Sequence, residues 1–154
     1  MRRGKTGGGN AGFIVEDATE RKFLVKFDRP ENPEMQTGTN VAAGRLVWAF
    51  GFKTPRDYVI DLRRGEVHIP ADATAKSSQG DDVPFTEKSL DAILATAPAP
   101  SGGVYRATAS ELIDGKPKGG WPSEGIRGDD PNDVVPHEHR RELRGLRVLA
   151  AWIN

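Results

Sequence analysis

The sequence predicts an α+β architecture, a small antiparallel sheet with a packed helix, followed by the start of a helical second lobe. Three observations predict it. Apolar and polar residues alternate over short stretches at 11–17, 21–28, 58–62 and 104–113, the period-2 pattern of strands. Helical spacing instead governs residues 37–50, 86–95 and 139–153. Between these segments stand runs of glycine, proline and aspartate, which interrupt both patterns.

Residues 11–17 and 21–28 read as a hairpin around Ala18, Thr19 and Glu20. In its second strand Phe23, Val25 and Phe27 point one way while Leu24 and Lys26 point the other, because side chains alternate faces. Pro30 and Pro33 keep the following stretch extended, since each pushes the residue before it out of the helical region. A helix comes next, capped by Thr37 or Thr39 and stopped at Gly51, with Val41, Leu46, Val47, Trp48 and Phe50 as its apolar surface. Gly44 inside that helix costs about 1 kcal/mol relative to alanine, which marks a close approach.

After Pro55, residues 58–62 and 66–69 form an expected second hairpin around Arg63, Arg64 and Gly65. Residues 71–84 are polar and read as an exposed insertion that carries no chemistry. The helix at 86–95 turns Leu90, Ile93 and Leu94 inward, and a strand at 104–113 follows. From 114 to 136 the chain is an irregular connection, of a length that in compact domains is usually functional. The last helix, 139–153, sets Leu143, Leu146, Ala150 and Ile153 on one stripe and Arg140, Arg144 and Arg147 on another. The expected division is residues 1–113 for the sheet and its helices and 114–154 for the connection and last helix. Because the last turns are apolar on nearly every face, further structure is expected to cover them, and the sequence reads as truncated, the N-terminal part of something larger.

Composition narrows the function classes. A chain of 154 residues and 16.7 kDa fits one domain or a piece of one. Lys plus Arg number 22 and Asp plus Glu number 22, so no net charge draws the chain to nucleic acid or to a membrane, and neither partner is expected. The absence of cysteine excludes a disulfide scaffold, a cysteine-ligated zinc site and a thiol nucleophile. The longest apolar runs, 46–50 and 148–153, are far shorter than the roughly 20 residues of a membrane helix. The basic N-terminus has no apolar h-region behind it, so no signal peptide is read and the cytoplasm is the expected compartment.

Most motifs fail on inspection. Gly4, Lys5 and Thr6 look like the tail of a phosphate loop, but that motif requires a further glycine five residues earlier and a preceding strand. His137, Glu138 and His139 have no third ligand at a recognisable spacing, so no metal site is assigned and they are expected to decorate the first turn of the last helix. No serine lies in a G-x-S-x-G elbow, which leaves triad hydrolysis without a nucleophile. Arg140, Arg141, Arg144 and Arg147 interleave with Glu138 and Glu142 and have no aromatic platform, the composition of a salt-bridged helix face.

One constellation survives: Gly7, Gly8 and Gly9, then a hairpin with Lys26 in its second strand, then a helix reached through an extended connection. A kinase-like nucleotide site requires that order. Glycines let the backbone approach phosphates, a strand-borne lysine sets a fixed charge against their oxygens, and an acid on the helix orients it. The motif G-x-G-x-x-G-x-V is not matched, and an ordinary hairpin with a snorkelling lysine is the competing reading.

The words G-F-I-V-E-D-A, F-L-V-K-F-D-R-P-E-N-P-E-M, W-A-F-G-F-K-T-P-R-D-Y-V-I, Y-R-A-T-A-S and D-D-P-N-D-V-V-P-H-E-H-R-R-E-L-R-G-L-R-V-L-A-A-W-I-N resemble a poorly characterised bacterial family. That family has a protein-kinase-like fold, distantly similar to HipA-like toxin kinases and phosphoinositide kinases. The resemblance covers residues 9–154 and is most specific over 136–154. It implies a kinase-like N-terminal lobe that binds ATP with magnesium, Lys26 as the phosphate-binding lysine, and a strand at 104–113 that leads to the adenine-holding hinge. In such kinases the catalytic aspartate and the metal-binding asparagine and aspartate follow the last helix, so the resemblance assigns no catalytic and no metal-binding residue here. The implied function is the nucleotide-binding part of a phosphotransferase, inactive alone, with its acceptor unidentified. The sequence departs from the family at Asn40, where an acid is usual; Glu34 is the substitute if the connection folds back. That departure favours the alternative, a non-catalytic, pseudokinase-like interaction domain. A third reading is a complete small domain unrelated to nucleotides.

Overall fold

The computed structural model describes residues 3–4, 12–76, 81–115, 119–120 and 122–153. The chain divides into two units, Met1–Ile113 and Asp114–Asn154. The first is α+β. Its strands are β1 (Arg3–Gly4), β2 (Gly12–Glu16), β3 (Lys22–Phe27), β4 (Asp57–Arg63), β5 (Thr74–Lys76), β6 (Asp82–Pro84) and β7 (Val104–Glu111), and its helices are α1 (Met35–Ala49) and α2 (Glu87–Leu94). The strands form one sheet in the order β4-β7-β3-β2-β1-β5-β6. Its ladders are antiparallel except where β1 meets β5.

The β2–β3 hairpin closes on Asp17, whose Oδ1 accepts the Thr19 N–H at 2.8 Å, the Thr19 hydroxyl at 2.7 Å and the Arg21 N–H at 3.0 Å. The Thr19 hydroxyl, with the backbone and Arg21 donors adding to it, lowers the Asp17 carboxyl from 3.8 to about 2. Strand alternation then divides the sheet into two faces. Val25 stands between Phe13 and Ala109, and Phe27 opposite Ala107. Leu90 and Leu94 of α2, with Val67, Ala73 and Phe85, close over these residues to make the core. Thr86 caps α2, its hydroxyl accepting the Ser89 N–H.

Helix α1 lies against the opposite face, contacting β3, β4 and β7. It begins earlier than the sequence predicts. Thr37 and Thr39 are inside it, and the N-cap is Glu34, whose φ of 67° is left-handed and whose side chain makes no cap bond. At its far end Gly51 has φ 89° and donates to the Trp48 carbonyl, the expected glycine stop. Most of the expected apolar surface is turned outward: Leu46, Trp48 and Phe50 are exposed, while Val41 and Val47 are half-buried. The physical reason is the sheet face beneath, which presents Lys26, Thr108, Ser110 and Asp57 and so draws polar helix residues inward.

The second hairpin does not form. Residues 64–66 make a 3-10 turn in which the Glu66 carboxylate accepts the Arg63 N–H at 2.8 Å. Arg64 pairs with Glu87 and Asp91 of α2, Val67 is buried, and β4 pairs with β7 instead of with 66–69. The expected exposed insertion is likewise corrected, because β5 and β6 extend the sheet and Ala73 enters the core while its carbonyl accepts the Phe85 N–H at 2.8 Å.

In the second unit, the described residues before the last helix are irregular but pinned. Buried Asp133 accepts the Arg127 N–H at 2.7 Å, meets Arg140 at 2.5 Å and stands 2.7 Å from His137 Nε2. The Arg127 N–H, helped by His137 and Arg140, holds its carboxyl below the usual aspartate value. His137 Nδ1 lies 2.6 Å from the Pro122 carbonyl, which can only accept, so that nitrogen donates. His137 is thus not on the first turn of the last helix as expected: it opens a 3-10 turn, His137–His139, and is 3% exposed. Helix α3 (Arg141–Ile153) follows, with Leu143 and Leu146 half-buried and Leu149 buried. Ala150, expected on the inward stripe, is exposed, because contacts at spacing i, i+3 and i+6 run through Leu149. No helix among the described residues is long and apolar enough to cross a membrane.

Two outcomes follow for stability. Leu90→Ala, in the core, should cost about 2 to 5 kcal/mol in urea unfolding, whereas Trp48→Ala should stay within about 0.5 kcal/mol. Folding lowers the Asp17 pKa, so its contribution to stability is complete above the unfolded value of 3.8 and is lost as pH falls toward about 2. An NMR titration should place the Asp17 midpoint near the lower value, and Thr19→Val should move it upward.

Candidate functional site

The face under α1 is built from four strands in register. Lys26 on β3 stands opposite Gly12 on β2 and Thr108 on β7. Gly12 is required by contact: a Cβ there would lie 2.3 Å from the Val25 carbonyl oxygen, in the backbone of the paired strand. Thr108 is fully buried, and its hydroxyl has no partner among the described residues. Lys26 is half-buried and has no carboxylate partner among the described residues. A lysine can keep such a position by burying its apolar stem and turning its amine outward.

Polar bonds fix α1 over this face at two levels. Near its start, the buried Asp28 carboxylate accepts the Thr37 N–H at 2.8 Å and the Thr37 hydroxyl at 2.9 Å, while Arg106 Nε donates to that hydroxyl oxygen at 3.0 Å. One turn on, Asn40 Nδ2 donates to Asp57 Oδ1 at 2.9 Å and to Ser110 Oγ at 3.2 Å. The Ser110 hydroxyl donates to the same Asp57 oxygen at 2.5 Å. Asp57 Oδ2 faces Gly44, where a Cβ would come within 2.6 Å of it.

Of the residues singled out in the sequence, Lys26 and Asn40 fall on this face. Glu34 does not complete it: its side chain is exposed and makes no ion pair with Lys26, and its contribution is a carbonyl that accepts the Gly38 N–H at 2.9 Å. Gly7, Gly8 and Gly9 lie outside the described residues. Sequence reasoning missed Gly12, Asp28, Asp57, Arg106 and Ser110, and read Thr37 only as a helix cap. Only Gly12 carried a local signal, as a lone glycine opening a strand pattern. Asn40 meets a carboxylate on strand β4, that of Asp57. An amide at 40 can donate to it, whereas a carboxylate there would face a second carboxylate.

Among the described residues no group of three or more His, Asp or Glu could hold a metal ion. No family model, curated protein or solved structure matches the chain.

Two glycines of α1 should respond in opposite directions. Gly44→Ala forces Asp57 to move and should cost about 1 to 3 kcal/mol through the Asn40 and Ser110 bonds, overriding the better helix propensity of alanine. Gly38→Ala meets nothing within 4 Å and should stabilise by about 0.4 to 1 kcal/mol. Paired urea titrations of the two variants check this.

Proposed function

We propose that this chain is the nucleotide-binding part of a kinase-like phosphotransferase, with ATP and magnesium as its ligand. The observation that carries the reading is Lys26, a half-buried lysine without a carboxylate partner among the described residues, on the sheet face that α1 covers. Support also comes from connectivity. A hairpin leads into α1, the next long strand is β4, and β7 inserts between β3 and β4 so that the strand expected to lead to the hinge runs beside the lysine strand. The fit to a nucleotide rests on Lys26 as the charge that meets phosphate oxygens and on Gly12, which keeps the facing backbone bare of side chains. When bound, magnesium would neutralise charge on the phosphates. The reading assigns no metal ligand and no catalytic residue to the described residues, and it leaves the acceptor unassigned.

A specific observation favours a second reading. Asn40 and Asp57 are bonded to each other and to Ser110, so the position from which a helix acid would orient the lysine is engaged in holding the helix. A domain that keeps the kinase-like frame but binds a partner, without phosphoryl transfer, fits that arrangement.

Calorimetric titration with magnesium ATP tests the first reading. The parent should bind, and Lys26→Met, which keeps most of the apolar stem, should weaken binding about tenfold or more with an unchanged melting temperature. A parent that does not bind, or a Lys26→Met variant that binds equally well, would show that Lys26 is an ordinary strand lysine.

A further inference from the structure

A groove of about 790 Å³ opens at the edge of the first unit, between the C-terminal half of α1 and the segment leading into β4. Its walls are apolar, with Val41, Trp48, Phe52 and Pro55, and Trp48 is 69% exposed. Around the slot stand three cations, Arg45, Lys53 and Arg56. Several arginines elsewhere find acids: Arg21 pairs with Asp17, Arg64 with Glu87 and Asp91, Arg127 with Asp129 and Arg140 with Asp133. The three cations of the groove have no such partner among the described residues. Asp57 also reaches the groove and is its one carboxylate; its Oδ1 accepts from the neutral Asn40 and Ser110 side chains, so the lining keeps an excess of positive charge.

We propose that this groove binds an acidic peptide segment carrying one apolar side chain. Charge complementarity selects the acid, because a concave surface whose lining carries three cations against one carboxylate has an excess of positive charge that raises the local concentration of anions. The shape selects the rest. An extended peptide sends alternate side chains to the same side, so one apolar residue enters the slot beside Trp48 while carboxylates two residues before and after it reach Arg45 and Arg56. Beside the groove runs β4, the outermost strand of the sheet, and an outermost strand offers backbone groups that an added peptide strand can pair with. Single-stranded nucleic acid fits less well, since it is held by cations along a track with repeated stacking platforms, and here the cations ring a single slot. The groove lies apart from Lys26 and binds whether or not the chain takes a nucleotide.

Fluorescence anisotropy with a fluorescein-labelled nonapeptide of glutamates around a central leucine tests the proposal. The full chain should bind it, with affinity falling as salt rises. Trp48→Ala should weaken binding about tenfold, and the double change Arg45→Ala with Arg56→Ala should weaken it about fivefold or more and flatten the salt dependence. The same peptide with glutamines should not bind. All three substituted side chains are exposed, and unchanged circular dichroism and melting would show that the variants remain folded. The proposal is overturned if the glutamate peptide does not bind, if the variants bind it as tightly as the parent, or if a labelled single-stranded nonanucleotide binds more tightly than the peptide.

Discussion

Asp57 receives the Asn40 amide and the Ser110 hydroxyl on one carboxylate oxygen, and through that bond β4, β7 and α1 are held as one body. The constraint matters because α1 brings only the small Val41 and Val47 to half-buried positions; Leu46, Trp48 and, just beyond the helix, Phe50 are exposed. Hydrophobic burial without a broad apolar stripe would leave the helix free to slide or rotate, since that force is non-directional. A hydrogen bond nets only about 0.5 to 1.5 kcal/mol, but a buried partner left alone costs about 1 to 3 kcal/mol. The Asp57 and Asp28 bonds therefore penalise every other placement of α1 more than they favour this one. Gly44 belongs to the same constraint, because a Cβ there would come within 2.6 Å of Asp57 Oδ2 and oblige that carboxylate to shift.

The sheet consequently serves two chemistries. Towards α2 it presents Phe13, Val25, Phe27 and Ala107, which join Leu90 and Leu94 in a dry core. Towards α1 the same strands present Gly12, Lys26, Thr108 and Ser110. Period-2 alternation makes the two faces inseparable: sliding β3 by one residue against β2 would put Lys26 into the core and Val25 under the helix. The apolar face thus fixes the register on which the placement of Lys26 depends. Gly12 adds a second lock, since only a residue without Cβ fits opposite Lys26.

What the sequence made legible was local. The β2–β3 hairpin, the α2 core stripe at Leu90 and Leu94 and the glycine stop at Gly51 each rest on neighbours within a few residues. What it concealed depended on distant partners. The expected hairpin at 58–69 had good strand residues on both sides, yet β4 pairs with β7, more than forty residues away, while Val67 goes to the core and Arg64 to α2. The inward face of α1 misled for the same reason, because the polar surface it meets comes from strands on either side of it in sequence. His137 was read as surface decoration, and its burial follows from Asp133 and the Pro122 carbonyl, both supplied by an irregular segment with no periodicity to read. Of the candidate site, Lys26 and Asn40 were legible as residue types in order, but Asp57 was not, since nothing in its own strand marks a carboxylate bound from the helix above.

That last omission changes how Asn40 is understood. Taken alone, an amide where an acid is expected reads as a lost ion pair. In the structure Asn40 faces Asp57 on β4, and an amide is a side chain that can donate to that carboxylate while fitting a helix position. A carboxylate at 40 would stand against Asp57, and two carboxylates at that separation cannot both remain ionised without cost. Asn40 is thus matched to Asp57, and the pair does mechanical work by fixing α1. Lys26 is left outside the arrangement, on the covered face and without an acid among the described residues. A lysine in that position keeps its charge hydrated by turning its amine outward, which is also where an anion from outside the chain could meet it. The first proposed reading of the domain starts from Lys26 and the second from the bonds of Asn40 and Asp57. They differ in whether the frame that Asp57 makes rigid serves phosphoryl transfer or only binding.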